Sequence, residues 1–280
     1  MKISAKRTLD RLFPSLAVRY RRHRDERLTA ALPRIPTVHD LQLNADQRAL
    51  SALVGSPELS AMEGLLSACD TFVDVGANIG FYSCIAARLG KYVVAVEPQP
   101  LNVQVLLRNL RQNELAPRFE VHATALSDDQ GVAEFFGGQQ GGSLIEGWSG
   151  IRANYINLVF VNTLDRLLGG RFEGERLLIK IDVEGNEQAL LLGAAGTLGR
   201  LPKPDWVLEI GLTENFGGKV NPHYLETFEL FWRDGYTASP FTSPERVLSR
   251  ADVESWIAKR RADHDEINYL FRASASTTVL

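Results

Sequence analysis

Phe72-Val73-Asp74-Val75-Gly76-Ala77-Asn78-Ile79-Gly80-Phe81 is the stretch that decides the fold. An apolar run enters a turn that carries Gly76 and Gly80, and a second apolar run leaves it. Backbone without a Cβ turns tightly and lets a ligand come close. In an open parallel sheet, ligands bind beyond the carboxyl ends of the strands, where this turn would stand. The turn lacks the Gly-x-Gly-x-x-Gly spacing of a dinucleotide site, which argues against an NAD-dependent reductase. Asp74 argues the same way, because a carboxylate there repels a pyrophosphate and suits a cationic or zwitterionic ligand. Its plainer role is a carboxylate that only caps the turn.

Outward from this turn the pattern is regular. Strands are expected over 71–75, 92–96 and 119–123, with helices over 79–89 and 101–113 between them. The rhythm returns with a strand over 176–181, a helix over 187–192, a strand over 206–210, a helix over 222–233 and a late, antiparallel strand over 267–271. Apolar strands alternating with crossover helices mark a parallel sheet covered on both faces. Between the two halves lie candidate strands at 131–136 and 158–161, and a short helix opening near Thr163 and Asp165. The glycine-rich stretch 137–150 reads as a lid or a solvent-facing insertion. Residues 40–68 read as one or two helices, the second opened by Pro57.

Glu97 ends the second strand about twenty residues beyond the glycine turn, where an acid accepts both hydroxyl hydrogens of a ribose. That points to an adenosyl-type cofactor. After the third strand, Leu126 offers apolar packing to an adenine, and Ser127 and Asp128 offer polar recognition. The alternative for that pair is a turn in which they cap local amides.

In combination these pieces are more specific. The chain resembles the FkbM family of methyltransferases in Val73-Asp74-Val75-Gly76-Ala77-Asn78-Ile79-Gly80, in Val96-Glu97-Pro98-Gln99-Pro100 with Asn109 downstream, and in Ala125-Leu126-Ser127. Thr163-Leu164-Asp165, Ile179-Lys180-Ile181-Asp182-Val183-Glu184-Gly185-Asn186-Glu187 and Leu208-Glu209-Ile210 follow in order. The resemblance covers roughly residues 70–212. It implies the α/β class I methyltransferase fold, a Rossmann-like, mostly parallel sheet flanked by helices, here with an N-terminal helical extension. It also implies S-adenosyl-L-methionine as methyl donor and a hydroxylated small molecule or saccharide as acceptor. Asp74, Gly76, Ala77, Asn78 and Gly80 then belong to the cofactor turn, and Glu97 to its ribose. Asn186 stands where many relatives have alanine. The expected division is an extension over 1–68, a methyltransferase domain over 69–271 and a tail over 272–280.

Lys180, Asp182, Glu184 and Glu187 form the densest charged group near a strand end. In a regular strand, 180, 182 and 184 share one face. Methyl transfer to a hydroxyl profits from alignment of the reactants and from a base near the proton. Asp182 and Glu184 are equal candidates for that base, and Lys180 orients them or binds an acceptor oxygen. A purely structural ion-pair cluster is the alternative. Glu209, at the next strand end, is a further acceptor-binding acid. Ser143, Leu144, Trp148 and Tyr155 are candidates to border the acceptor, and Asn154, Asn157, Asn215 and Asn221 to bind its hydroxyls.

Composition narrows the field. The 280 residues carry a net charge of -3, so no strong nucleic-acid signal emerges, and 45% are hydrophobic, enough for a large core. Methylation of an amine, a protein or a nucleic acid, and a cofactor-binding scaffold, stay as alternatives. Cys69 and Cys84 make no disulfide framework and read as free thiols of a cytoplasmic protein. The five histidines show no compact zinc signature, and no metal is expected. No apolar run reaches the length of a membrane span. Residues 1–34 hold ten Lys or Arg against three acids, +7 by count, with Leu9, Leu12, Phe13 and Leu16 able to share a helix face. That arm suits an anionic membrane, a partner, or the chain's own acidic body; an oligomer stays open.

Overall fold

In the computed structural model, which describes residues 14–138, 141–151 and 155–274, the glycine turn stands at the centre of a seven-stranded sheet. The chain enters as the helix Pro14–Ala30 and a small hairpin, β1 (Arg34–Pro36) and β2 (Gln42–Asn44). The helices Gln47–Leu53 and Pro57–Ala68 follow. Then come β3 (Thr71–Val75), helix Phe81–Arg88, β4 (Tyr92–Val96), helix Pro100–Gln112 and β5 (Phe119–His122). A three-stranded side sheet of β6 (Ala125–Leu126), β7 (Gly131–Phe136) and β8 (Ile156–Asn162) interrupts the alternation. The second half brings helix Leu164–Leu168, β9 (Leu177–Ile181), helix Glu187–Leu192, helix Ala195–Leu198, β10 (Asp205–Glu209), helix Tyr224–Arg233, β11 (Tyr236–Pro240), helix Arg250–Lys259 and β12 (Asn268–Ala273).

The strand order is β11-β12-β10-β9-β3-β4-β5. Neighbours from β10 to β5 are parallel, while β12 runs against both β10 and β11. This is the order of a class I methyltransferase sheet. The chain builds outward from β3 through β4 to β5, then crosses to β9 on the other side. The direction of winding therefore reverses between β3 and β9, and ligands bind at such a switch point. β3 and β9 are buried along their whole length, which is why both read as continuous apolar runs. Val73, Val75, Ile179 and Ile181 pack on one face, and Phe72, Leu178 and Val207 on the other.

Helix starts follow local chemistry. Ser56 Oγ accepts the Leu59 amide with Pro57 in the first turn, and Thr163 Oγ1 accepts the Arg166 amide. The helix expected from residue 222 begins at Tyr224, because Asn221 Oδ1 accepts the His223 amide and holds the chain in a turn.

Three expectations need correction. Residues 42–44 form a strand rather than the start of a helix, so the extension carries a hairpin as well as helices. Two side chains of the helix Pro100–Gln112 region draw it in: Asn109 Oδ1 accepts the Asn44 amide at 2.7 Å, and Asn113 Oδ1 accepts the Gln42 amide at 2.8 Å. Arg272 and Ala273 pair with β11 and belong to the last strand, not to a tail. The stretch 137–150 is not turned to solvent at Ser143, which is fully buried and bridged to Phe136. Strand β11 and helix Arg250–Lys259 were not expected at all.

The basic helix Pro14–Ala30 docks on the chain's own body. Arg22 donates to the Ile156 carbonyl at 2.8 Å, and buried Asp25 accepts the Tyr155 hydroxyl at 2.6 Å. Leu9, Leu12 and Phe13 of the arm, Asn154, and residues 275–280 lie outside the described residues. No helix among the described residues is long and apolar enough to cross a membrane.

Candidate functional site

The tips of β3, β9 and β4 meet in register. Val75 stands beside both Val96 and Ile181. Just beyond, the amides of Gly76 and Ala77 both donate to the Val96 carbonyl, at 2.9 and 3.0 Å. The turn thus spends these amides on its own shape. Gly76 has φ +80°, and a Cβ there would stand 1.8 Å from the Asp182 carbonyl oxygen. Glycine is required by this approach of two backbones. Asn78 also has a left-handed φ, 52°, and its buried Oδ1 has no partner among the described residues.

Glu97 joins the turn to the tip of β4. Its Oε2 accepts the Asn78 amide at 2.9 Å, and its Oε1 accepts the Gln99 amide at 2.8 Å and Asn102 Nδ2 at 3.2 Å. Burial pushes the Glu97 carboxyl up to about 7, against the pull of those three donors. Gln99 and Asn102 were not singled out from the sequence, although Gln99 sits in the motif that contains Glu97.

Two chambers open around the turn, and Gly76, Asn78 and Asp182 line both. The first holds Glu97, Leu126, Phe135, Leu144 and Glu184, and contains about 640 Å³ of space between protein atoms, its open mouth included. The second lies on the side of the helices Gln47–Leu53 and Phe81–Arg88, holds Asp74, Lys180 and Glu209, and contains about 910 Å³ on the same measure.

The second chamber is the charged one. Asp74 stands beside Lys180 in the ladder and accepts Ser83 Oγ at 2.5 Å; burial raises its pKa against the attraction of Lys180. Lys180 Nζ is 3.0 Å from Asp182 Oδ2. Burial works against the lysine's charge, but Asp182 and Asp74 outweigh it and hold the ammonium well above its ordinary pKa. Tyr82 lies under this ammonium and donates its hydroxyl to Glu58 at 2.6 Å, so the N-terminal extension reaches the site.

Glu184 lines the first chamber in a left-handed conformation, φ 55°. Trp148 Nε1 donates to its Oε2 at 2.8 Å, and Ser143 Oγ donates to its main-chain carbonyl at 2.6 Å. Burial raises the Glu184 pKa against the indole's pull. Glu187 is buried, accepts the Gly185 amide at 2.8 Å, and is pushed by burial to about 7.

Several expected contacts stand elsewhere. Ser143, Trp148 and Tyr155 line neither chamber: the first two hold Glu184, and Tyr155 holds Asp25. Gly80 lines neither as well; it opens the helix Phe81–Arg88, with Leu106 Cγ 3.1 Å from where its Cβ would be. Ser127 and Asp128 turn to each other, Oγ to Oδ1 at 3.0 Å, Asn186 Nδ2 donates to the same Oγ at 3.3 Å, and neither residue lines a chamber. Leu126 does line the first chamber, and Asn186 Nδ2 donates to its carbonyl at 3.0 Å. Asn157, Asn215 and Asn221 spend their side chains on Gly137, Ser149 and Gly211. Among the described residues no group of three or more His, Cys, Asp or Glu is placed to hold a metal ion.

Among solved structures, the chain is similar to a methyltransferase FkbM from Methylobacillus flagellatus KT, at 18% identity and a TM-score of 0.41, over 90% of this chain and 59% of that one. It is similar to the bifunctional kinase-methyltransferase WbdD at 15% identity and a TM-score of 0.42, over 88% of this chain and 45% of that one. A putative O-methyltransferase from Klebsiella pneumoniae matches at 14% identity and a TM-score of 0.42, over 96% and 94% of the two chains. The chain thus spans about half the length of the first two. No curated protein matches it. The family model of the methyltransferase FkbM domain matches residues 74–238, more than half the chain, from the aspartate before the glycine turn to β11. The chain belongs to the FkbM family of methyltransferases.

Proposed function

We propose that this methyltransferase uses S-adenosyl-L-methionine and transfers the methyl group to a hydroxyl of a saccharide, glycolipid or small natural product. The observation that carries the reading is the junction of Glu97 with Asn78. It brings a carboxylate with spare lone pairs together with a residue whose buried amide oxygen is unpartnered, both on the lining of the first chamber. A ribose diol supplies the hydrogens that such acceptors need. Leu126, Phe135 and Leu144 give a flat base an apolar wall, and Asn186 fixes that wall through the Leu126 carbonyl. Asp74, beside the glycine turn, suits the cationic end of the cofactor.

When bound, the cofactor supplies an electrophilic methyl group on a sulfonium. Gly76, Ala77 and Asn78 shape the floor that orients it. Lys180 holds Asp182 at the strand tips, between the chambers. Asp182 and Glu184 stand nearest that boundary as candidates to receive the hydroxyl proton, while Glu209 faces the acceptor. Alignment and proton removal are the two things these residues provide.

The test is a labelled-methyl transfer screen across sugars, glycolipids, phenols and peptides, with calorimetry against S-adenosylmethionine and its demethylated product. Tight binding and label in a hydroxylated acceptor are expected. No heat with either ligand removes the cofactor reading, and label appearing only in amines or peptides removes the hydroxyl.

A further inference from the structure

We propose that Glu209, rather than Asp182 or Glu184, takes the proton from the acceptor hydroxyl; this rests on the hydroxyl-transfer reading above. Val207 pairs with Lys180 across β10 and β9, so Glu209 and Asp182 each lie two residues further on the same face. Neighbouring strands lie about 4.8 Å apart. Glu209 therefore stands beside Asp182 at the tips, on the wall of the second chamber that also holds Asp74 and Lys180.

The three carboxylates differ in what already occupies them. Asp182 already holds the Lys180 ammonium at 3.0 Å through its Oδ2. Glu184 receives the Trp148 indole N–H and faces the first chamber. The Glu209 carboxylate has no hydrogen-bond or ion-pair partner among the described residues. The charged groups around it are Lys180, Asp182 and Glu184 at the end of β9, Glu187 on the next helix and Asp74 on β3; Glu58 and Tyr82 complete the chamber on the side of the extension. Burial, then the like charge of Asp182, pushes Glu209 up to about 8 in spite of Lys180. A base is most effective with a pKa near the working pH.

The step balances. The hydroxyl proton moves to a Glu209 carboxylate oxygen as the hydroxyl oxygen bonds to the methyl carbon. The carbon–sulfur bond breaks and leaves its electron pair on sulfur. Glu209 returns the proton to water once the product has left.

The experiment compares Glu209→Gln and Glu184→Gln with the unaltered chain in three readouts. They are calorimetry with S-adenosylhomocysteine, thermal unfolding from pH 5 to pH 9, and kcat on an acceptor found in the screen. Glu209→Gln is expected to lower kcat by about 10²–10⁴-fold and to keep the calorimetric Kd within about threefold. It also removes an unpaired charge, so its Tm exceeds that of the unaltered chain by a margin that widens from pH 5 to pH 9. Glu184→Gln is expected to lower kcat by less than Glu209→Gln does. A Glu209→Gln chain with near-normal kcat overturns the assignment and leaves hydroxyl transfer standing. A Kd at least tenfold weaker with kcat intact assigns Glu209 to the cofactor's ammonium and overturns it too. A lowered Tm contradicts the unpartnered carboxylate. An unaltered chain that binds S-adenosylhomocysteine yet methylates no hydroxyl overturns the underlying reading and the assignment together.

Discussion

Glu97 carries its charge where burial resists it. The three donors on it favour the carboxylate, but burial sets the balance and brings the group to about 7. An acceptor of two ribose hydrogens must be ionised. Affinity for S-adenosylhomocysteine should therefore fall as pH drops below 7, approaching tenfold per pH unit. In Glu97→Gln that dependence should vanish. Glu97→Ala should weaken binding by about 1.5–3 kcal/mol, the worth of a charge-assisted hydrogen bond. Calorimetry between pH 5.5 and 8 checks both, and a flat profile in the unaltered chain sinks the ribose role. Gly76 makes a different demand. A side chain there costs about 1–2 kcal/mol for its left-handed backbone and about 1–3 kcal/mol for overpacking against Asp182, since the obstacle is main chain that cannot swing aside. Gly76→Ala should lose stability by that sum in urea unfolding, and an unchanged midpoint would show that the two strand tips do not touch.

Two loops close over the tips as one element. Trp148 stacks edge-on to Phe216 at 4.8 Å while its indole N–H holds Glu184, and Ser149 donates both its amide and its hydroxyl to Asn215. Trp148→Phe keeps an aromatic partner for Phe216 and removes only the donor. It should cost about 1–3 kcal/mol, the price of a buried acceptor left unmet, read as a shift in the urea midpoint with m unchanged. A shift below a few tenths would mean that water replaces the indole. Nothing in the sequence announced this pairing. A tryptophan among glycines reads as an aromatic for a sugar face, and only the fold brings it to Glu184. Elements with a strong period were legible: β3, β4, β9 and the helix Glu187–Leu192 lie where apolar runs and turn glycines put them. β11 was not, because Tyr236-Thr237-Ala238-Ser239-Pro240 is short on large apolar residues and is buried by β12 and Leu248 from outside its own segment. The helix Arg250–Lys259 did leave a sign, the capping box of Ser249 and Asp252. Site residues behaved alike. Glu97 was legible from its distance to the glycine turn, whereas Ser127 and Asp128 satisfy each other, which residue type alone does not reveal.

At the scale of the molecule, the parallel sheet gathers acids at one end, and this fixes how stability must vary with pH. Glu97, Glu187 and Glu209 are raised, to about 7, 7 and 8, each by burial first. A raised carboxyl binds its proton more tightly folded than unfolded. Its contribution is complete below the unfolded pKa and is lost as pH climbs through the folded one. Glu120, far from the site, has the opposite sign. Burial opposes its charge, but hydrogen bonds from Tyr92, Arg171 and His122 hold it near 2. Its contribution is present above the unfolded pKa and disappears as pH falls toward 2. The ligand-free chain should be most stable near the unfolded carboxyl pKa, at about pH 4–5. Between there and pH 8 it should lose at least about 1.4 kcal/mol, the linkage of one pKa unit, or about 2–4 °C in Tm for a chain of this size. Thermal unfolding across pH 3–9 measures both limbs, and each has its own control. Glu209→Gln should flatten the alkaline limb and leave the acid one, Glu120→Gln the reverse. A maximum that stays at pH 7–8 in the unaltered chain would mean that water reaches the carboxylates at the strand tips, and that the second chamber is wetter than its walls make it.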